Sequence, residues 1–367
     1  MIPPTPVVLD AQSLSSVAAG GGIGSYTRHL LAALAHRDDV SVSALCAPSV
    51  SLPDGVTPLP MHRLFSHPRL EVMEHAARLP RELRRLRPGD SVFHNPSFHA
   101  PAGVDGPWVQ TLLDVIPLVL DEPDHAVLRA RWKRFGPRYR KADAVIAISQ
   151  HAADEGTRLL GLEAGKVHVA RLGVDPSYRP GVVVSADPPY LLVVSEYSRR
   201  KGFAEAFAVL DALADTGYPH RLLVAGRIHP WARAELAALH AAARHPERIE
   251  VLDFVPDLVA LYQGASAFLM CSRYEGFGLP ALEAMACGVP VVAFANSAVT
   301  EMVSGGGHLV ANGDVVAMTD AVSRLLSTPA LALEWREKGM ERARWFTWER
   351  TAASHAEVYA AVAGGRS

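Results

Sequence analysis

"EGFGLPALEAMACGVPVV" occupies residues 275–292, and its residue types follow the order strand end, tight turn, short helix, second strand. Gly276 and Gly278 let the backbone turn sharply and come close to a ligand. Pro280 suits the first helical position, where a missing donor costs nothing. Gly288 accepts the left-handed conformation that ends a helix, and Pro290 blocks continuation. The spacing therefore predicts a helix over 280–287. Free amides at its start, approached past Gly276, Phe277, Gly278 and Leu279, suit a phosphate or pyrophosphate. Two carboxylates bracket the turn eight residues apart, Glu275 and Glu283. Glu283, near the first turn, can accept paired hydrogen bonds from a vicinal diol such as a ribose; its plainer role is an electrostatic cap. Glu275 sits where a sugar on the second phosphate would lie, or is a solvated loop charge.

Outward from this stretch the pattern repeats. Short apolar runs at 6–11, 40–46, 91–95, 108–115 and 144–149 read as strands, and "SYTRHLLAALAHR" from Ser25 has helical spacing. A proline-rich break, "PSYRPGVVVSADPPY" (176–190), interrupts the series. It restarts with strands at 190–195, 221–226, 249–254, 266–272 and 290–294 and helices at 203–216 and 231–245. Strand and helix in alternation mean a parallel sheet covered on both faces. The fold class is therefore α/β, with two αβα Rossmann-like domains: residues 1–180, residues 181–346, and a terminal helix over 347–367. Ligands of such folds sit outside the carboxyl ends of the strands, and a cleft between two domains is a common site.

The 367 residues are 49% apolar and 20% charged, with a net charge of −2, which excludes a disordered chain and a uniformly basic nucleic-acid binder. Cys46, Cys271 and Cys287 lack the clustering of a metal site, and no D-x-D triplet or histidine cluster supplies one, so no metal is expected. "MIPPTPVVLDAQ" is not a signal peptide, and no stretch is long and apolar enough to span a bilayer. A cytoplasmic protein is expected, with peripheral membrane contact open.

Other residues collect at the same predicted strand ends. "SRRKG" (198–202) places Arg200 and Lys201 before a helix, where they can clamp a diphosphate and stabilise charge on a leaving group. "AAGGGIGSY" (18–26) puts Gly21 and Gly22 between the first strand and first helix, as a ligand loop or a packing turn. Asp114 follows the strand "WVQTLL" and either binds acceptor hydroxyls or caps the next turn. His94 ends a strand and faces the same rim by pattern, or is satisfied by a neighbour. "RLPRELRRLR" (78–87) and "RARWKRFGPRYRK" (129–141) can meet anionic headgroups, with Leu79 and Leu83 touching the interface, or are solvated faces.

These motifs resemble those of family 4 retaining glycosyltransferases of the GT-B fold, and within them bacterial lipopolysaccharide and exopolysaccharide mannosyltransferases. The resemblance spans nearly the whole chain and is most specific at "YEGFGLPALEAMACGVPVV". It implies that Glu283 holds the donor ribose, that Glu275 supports the reacting centre, and that Arg200 and Lys201 hold donor phosphates. It also matches Gly21 and Gly22 to the family's first-domain loop, and sends the terminal helix back onto the first domain. The chain departs from the family pattern at Leu113, where a histidine usually precedes the aspartate, at Ser195, where a glycine usually ends the strand, and at "GRIHPW" (226–231). The implied activity is metal-independent transfer of a hexose, mannose from GDP-mannose first and UDP-hexoses next, to a saccharide, lipid-linked or small-molecule acceptor. Phosphorylase or epimerase chemistry, and a nucleotide-sugar-binding assembly protein without catalysis, are the competing classes.

Overall fold

The computed structural model describes residues 3–16, 20–61, 78–86, 89–122, 126–181 and 186–365. Parts of five stretches read above therefore lie outside the described residues: Met1 and Ile2 in the opening stretch, Ala18 and Ala19 in the first glycine loop, Arg87 in the first basic stretch, 182–185 in the proline-rich break, and Arg366 and Ser367 in the expected terminal helix. The chain folds as two units. One comprises Met1–Gly173 with Thr347–Ser367 and the other Val174–Phe346, so the division falls a few residues before the expected boundary near 180.

The first unit is a seven-stranded, wholly parallel sheet. Its strands are β1 (Thr5–Asp10), β2 (Val40–Cys46), β3 (Thr57–Pro60), β4 (Val92–Asn95), β5 (Trp108–Leu112), β6 (Ala144–Ala147) and β7 (Val167–Val169), in the order β3-β2-β1-β4-β5-β6-β7. The order reverses between β1 and β4, which is the switch point where open α/β sheets bind ligands. Its helices are α1 (Gly22–Ala35), α2 (78–86), α3 (Ile116–Val119), α4 (Ala126–Tyr139) and α5 (Gln150–Leu160). β4, β5 and β6 are buried at every residue. Each fully buried large aliphatic side chain there is worth about 1.5–3 kcal/mol.

The second unit is a six-stranded parallel sheet in the order β10-β9-β8-β11-β12-β13. Its elements are β8 (Tyr190–Val194), α6 (Phe203–Asp215), β9 (Arg221–Ala225), α7 (Arg233–Ala241), β10 (Ile249–Val251), α8 (Val259–Gly264), β11 (Ala267–Met270), α9 (Leu279–Ala286), β12 (Val291–Ala295), α10 (Ser297–Val303), β13 (His308–Ala311), α11 (Val315–Ser327) and α12 (Pro329–Ala343). Phe203, Phe207 and Leu210 of α6 interlock with Leu191, Val193, Leu222 and Val224 of the central strands.

The last helix, α13 (Trp348–Gly364), belongs to the first unit and packs on α1 and on β1, β4, β5 and β6. Thr347 caps it by accepting from Arg350 N. Gly173 lies so close that an added Cβ would sit 2.3 Å from Trp348 N. A buried polar chain fixes the helix. His355 Nδ1 is 2.7 Å from Thr351 O, which can only accept, so that nitrogen carries the proton. His355 Nε2 then accepts from the Tyr26 hydroxyl at 2.8 Å, and Tyr26 accepts from Thr111 Oγ1 at 3.0 Å. Thr111 accepts from His94 Nε2 at 2.7 Å, and His94 Nδ1 accepts from Tyr359 at 2.7 Å. Every donor is used once, and only with both imidazoles neutral. Burial depresses both, His355 to about 4.

Candidate active site

In the second unit two loops at the carboxyl ends of β8 and β11 are joined backbone to backbone. The first ends in a single helical turn, Arg199–Lys201, closed by Gly202 at φ +71°. An added Cβ on Gly202 would stand 2.0 Å from Cys271 O, so the loops touch here only because the side chain is absent. Arg273 N donates to Arg200 O at 2.7 Å. The second loop leads through Gly278, at φ +109°, into α9, which begins at Leu279, so Pro280 takes its second position and not the first.

This joining places Arg200, Lys201 and Glu275 together. Lys201 Nζ donates to Glu275 Oε1 at 2.6 Å, and Arg200 Nη1 to Oε2 at 3.2 Å and to Tyr274 O at 2.9 Å. Glu275 is 8% exposed. Burial alone would raise its carboxyl, but Lys201 and Arg200 more than offset this and hold it at about 2. Burial also pulls the Lys201 ammonium below its ordinary value, against the attraction of Glu275. Two cations facing one carboxylate leave these three side chains with one positive charge in excess, and Glu196 also bears on Lys201 from the rim. Both carboxylate oxygens thus serve the neighbouring cations, a role that sequence spacing did not reveal.

Sequence reading also missed the support beneath Glu275. Its amide donates to Ser297 Oγ at 2.8 Å, and that hydroxyl donates to Asn296 Oδ1 at 2.8 Å. Asn296 Nδ2 donates to Ser272 O at 2.7 Å and Asn312 Oδ1 at 3.0 Å. Ser297 has φ +39°, a conformation that costs a non-glycine residue about 1–3 kcal/mol. A positive-φ serine leaves no signal in the sequence.

Glu283 has other partners. It lies half-buried on α9, and Tyr262 of α8 donates to its Oε2 at 2.8 Å. Burial raises its carboxyl to about 7; the Tyr262 bond opposes this and Asp175 adds to it. Ser195 turns its hydroxyl to Glu196 O at 3.1 Å. Gly226 follows from close approach, since a Cβ there would lie 2.0 Å from Ser195 O.

In the first unit Gly21 is the N-cap of α1 and Gly22 its first residue, neither in the left-handed region. A Cβ on Gly22 would meet nothing within 4 Å. Asp114 Oδ1 accepts from Ile116 N at 3.0 Å and caps the turn entering α3. Two expectations are corrected. His94 is fully buried in the chain that holds α13 and lies on no rim. Leu79 and Leu83 are core residues, 0% and 4% exposed, because α2 turns its apolar side inward. Arg84 and Arg85 of that helix are paired with Asp105 and Glu82. The helix α4 differs: Val127 and Leu128 are exposed large hydrophobics, and Lys133, Arg134, Arg140 and Lys141 lie exposed on the same segment. Among the described residues no group of three or more His, Cys, Asp or Glu is placed to hold a metal ion, and no helix is long and apolar enough to cross a membrane.

Two parallel-sheet Rossmann-like units, one of them carrying a cationic loop cluster at its strand ends, have the GT-B architecture. Residues 20–178 match the sequence profile described as Glycosyltransferase Family 4, and residues 174–342 the one described as Glycosyl transferases group 1. The chain belongs to the family 4 glycosyltransferases. It is similar to O-antigen chain mannosyltransferase B of Escherichia coli, at 28% identity over 291 residues and 74% of each chain. It is also similar to D-inositol 3-phosphate glycosyltransferase 2 of Catenulispora acidiphila, at 33% over 238 residues, covering 59% of this chain but 56% of the relative. The sucrose-phosphate synthase of Thermosynechococcus elongatus shares the fold with a TM-score of 0.80 at 23% identity, over 97% of this chain and 98% of that one.

Proposed function

We propose that the chain moves a hexose from a nucleotide sugar to an acceptor hydroxyl with retention of anomeric configuration, in polysaccharide or glycolipid assembly. The observation that carries this is the Arg200–Lys201–Glu275 cluster, with its excess positive charge at the strand ends beside the start of α9. As the glycosidic bond breaks, negative charge grows on the nucleotide diphosphate. Arg200, Lys201 and the Leu279 amide stabilise that charge more than the ground state, which is what accelerates the step. Pro280 has no N–H and the Ala281 amide is taken by Gly278 O, so the start of α9 offers fewer donors than its sequence suggests. Glu275 holds the two cations at the reacting centre. The departing phosphate takes the proton of the acceptor hydroxyl on the same face. Glu283 binds the donor ribose. Gly22, which neither φ nor crowding requires, leaves the start of α1 open to a ligand. With the charge neutralised by side chains, initial rates are expected to persist in EDTA; loss there with recovery in Mg²⁺ or Mn²⁺ overturns the metal-independent mechanism.

Mannose from GDP-mannose is the donor we put first, supported by the similarity to an O-antigen mannosyltransferase. A lipid-linked acceptor at the inner face of the cell membrane is supported by the exposed apolar and basic residues of α4. A crossed panel of GDP- and UDP-sugars against lipid-linked and soluble acceptors, read by product mass, tests both. Turnover with UDP-sugars alone rejects the donor, and transfer only to soluble acceptors without binding to anionic vesicles rejects the membrane role. Nucleotide-sugar binding without turnover on any acceptor points to an assembly protein instead.

A further inference from the structure

The two oxygens of the Glu283 carboxyl stand in different surroundings. Oε2 receives the Tyr262 hydroxyl at 2.8 Å, and Tyr262 is fully buried, packed edge-on against Tyr178 and tilted against Phe268. Glu283 itself keeps a partly exposed side. We propose that Tyr262 is a positioning residue of the donor site: by occupying Oε2 it fixes the Glu283 side chain and leaves Oε1 to accept from a vicinal diol of the donor. The inference rests on the reading that Glu283 binds the donor ribose.

The chemistry makes this testable through pH. A diol donates more strongly to a carboxylate than to a neutral carboxyl, so ionised Glu283 binds the donor more tightly than protonated Glu283 does. The groups that face it are Tyr262 from α8, Asp175 and Tyr178 from the segment preceding β8, and Cys287 just beyond α9, with Asp257 bearing on Tyr178. Burial works against ionisation, Tyr262 favours it and Asp175 opposes it. Donor affinity is therefore expected to rise with pH through the Glu283 midpoint. Removing the Tyr262 hydroxyl moves that midpoint up, and removing the Asp175 charge moves it down. A residue that merely filled space would lower affinity equally at every pH.

The experiment is calorimetric binding of GDP-mannose and UDP-glucose from about pH 5.5 to about 8.5, a window in which sugar diphosphates carry no titrating group, for the full chain and three variants. Glu283→Gln is expected to give weak, pH-independent binding. Tyr262→Phe is expected to bind about tenfold more weakly at neutral pH and to recover at the alkaline end. Asp175→Asn is expected to bind more tightly on the acid side. If Glu283→Gln binds as the parent does, the ribose reading itself fails. If Glu283→Gln flattens the profile while Tyr262→Phe keeps the parent midpoint, the positioning role alone is overturned. Should Tyr262→Phe not fold, carbon-13 at tyrosine Cζ in the parent protein decides: the Tyr262 resonance must titrate together with donor affinity, and a constant resonance overturns the proposal.

Discussion

Lys201 is held by a single carboxylate oxygen at 2.6 Å, so its removal leaves Glu275 with half its compensation and the leaving group with one donor fewer. Lys201→Ala is expected to slow transfer by about 10²–10³ at saturating donor, the usual effect of a lost transition-state donor. Full activity at saturation contradicts the assignment. Glu275→Gln sets two half-buried cations against each other without their anion. It is expected to lower turnover more than it weakens nucleoside diphosphate affinity, a split visible by comparing kcat with the nucleotide Kd. Glu283→Ala is expected to weaken nucleotide and nucleotide-sugar binding alike by roughly 1.5–3 kcal/mol. Unchanged calorimetric affinity in a folded variant removes Glu283 from the site.

At the scale of elements, the joining of the β8 and β11 loops depends on Gly202. An alanine there must adopt φ +71° and place a methyl 2.0 Å from the Cys271 carbonyl, with no flexible side chain to give way. Gly202→Ala is expected to destabilise by about 3 kcal/mol or more in urea unfolding, as mutations that force backbone strain do. Loss of under 0.5 kcal/mol shows that the loops separate freely. The sequence predicted ten of the strands from apolar runs and α9 to within one residue at either end. It missed β3, β7 and β13, which are short edge strands; "TPLP" carries two prolines that an edge position tolerates and a pattern search rejects. It likewise located Arg200, Lys201, Glu275 and Glu283 but not which pairs with which. Partners such as Tyr262 and Ser297 arrive from other loops and helices and have no fixed spacing to the motif.

For the molecule as a whole, α13 in the first unit and α9 in the second are expected to respond oppositely to mild acid, although His220 and His308 give the rest of the second unit the same sign as the first. His94 and His355 are buried neutral in the first unit, with folded values below the unfolded one. Their contribution is complete above the ordinary histidine value and is lost as pH falls; for His355, held at about 4, the loss approaches about 3 kcal/mol. Glu283, raised to about 7 in the second unit, has the reverse sign: its contribution is present below the ordinary carboxyl value and is lost as pH rises through about 7. Between pH 7 and 5, hydrogen exchange resolved by peptide and corrected for intrinsic rate is expected to show falling protection in β4, β5 and α13, with α9 gaining or holding. A parallel fall in α13 and α9 overturns the sign assignment.

The polar chain under α13 joins residues that are far apart in the order of synthesis. Tyr26 and His355 are separated by 329 positions, and His94 and Tyr359 by 265. The whole of the second unit leaves the ribosome between them. The second unit can therefore finish folding while the first still waits for α13, with Tyr26, Thr111 and His94 wetted and their proton order undefined. The first unit closes after translation has passed residue 359, as one late intramolecular docking across a very long loop. Chains ended at residue 346 and released should accordingly yield a protease-resistant second unit and a cleavable first.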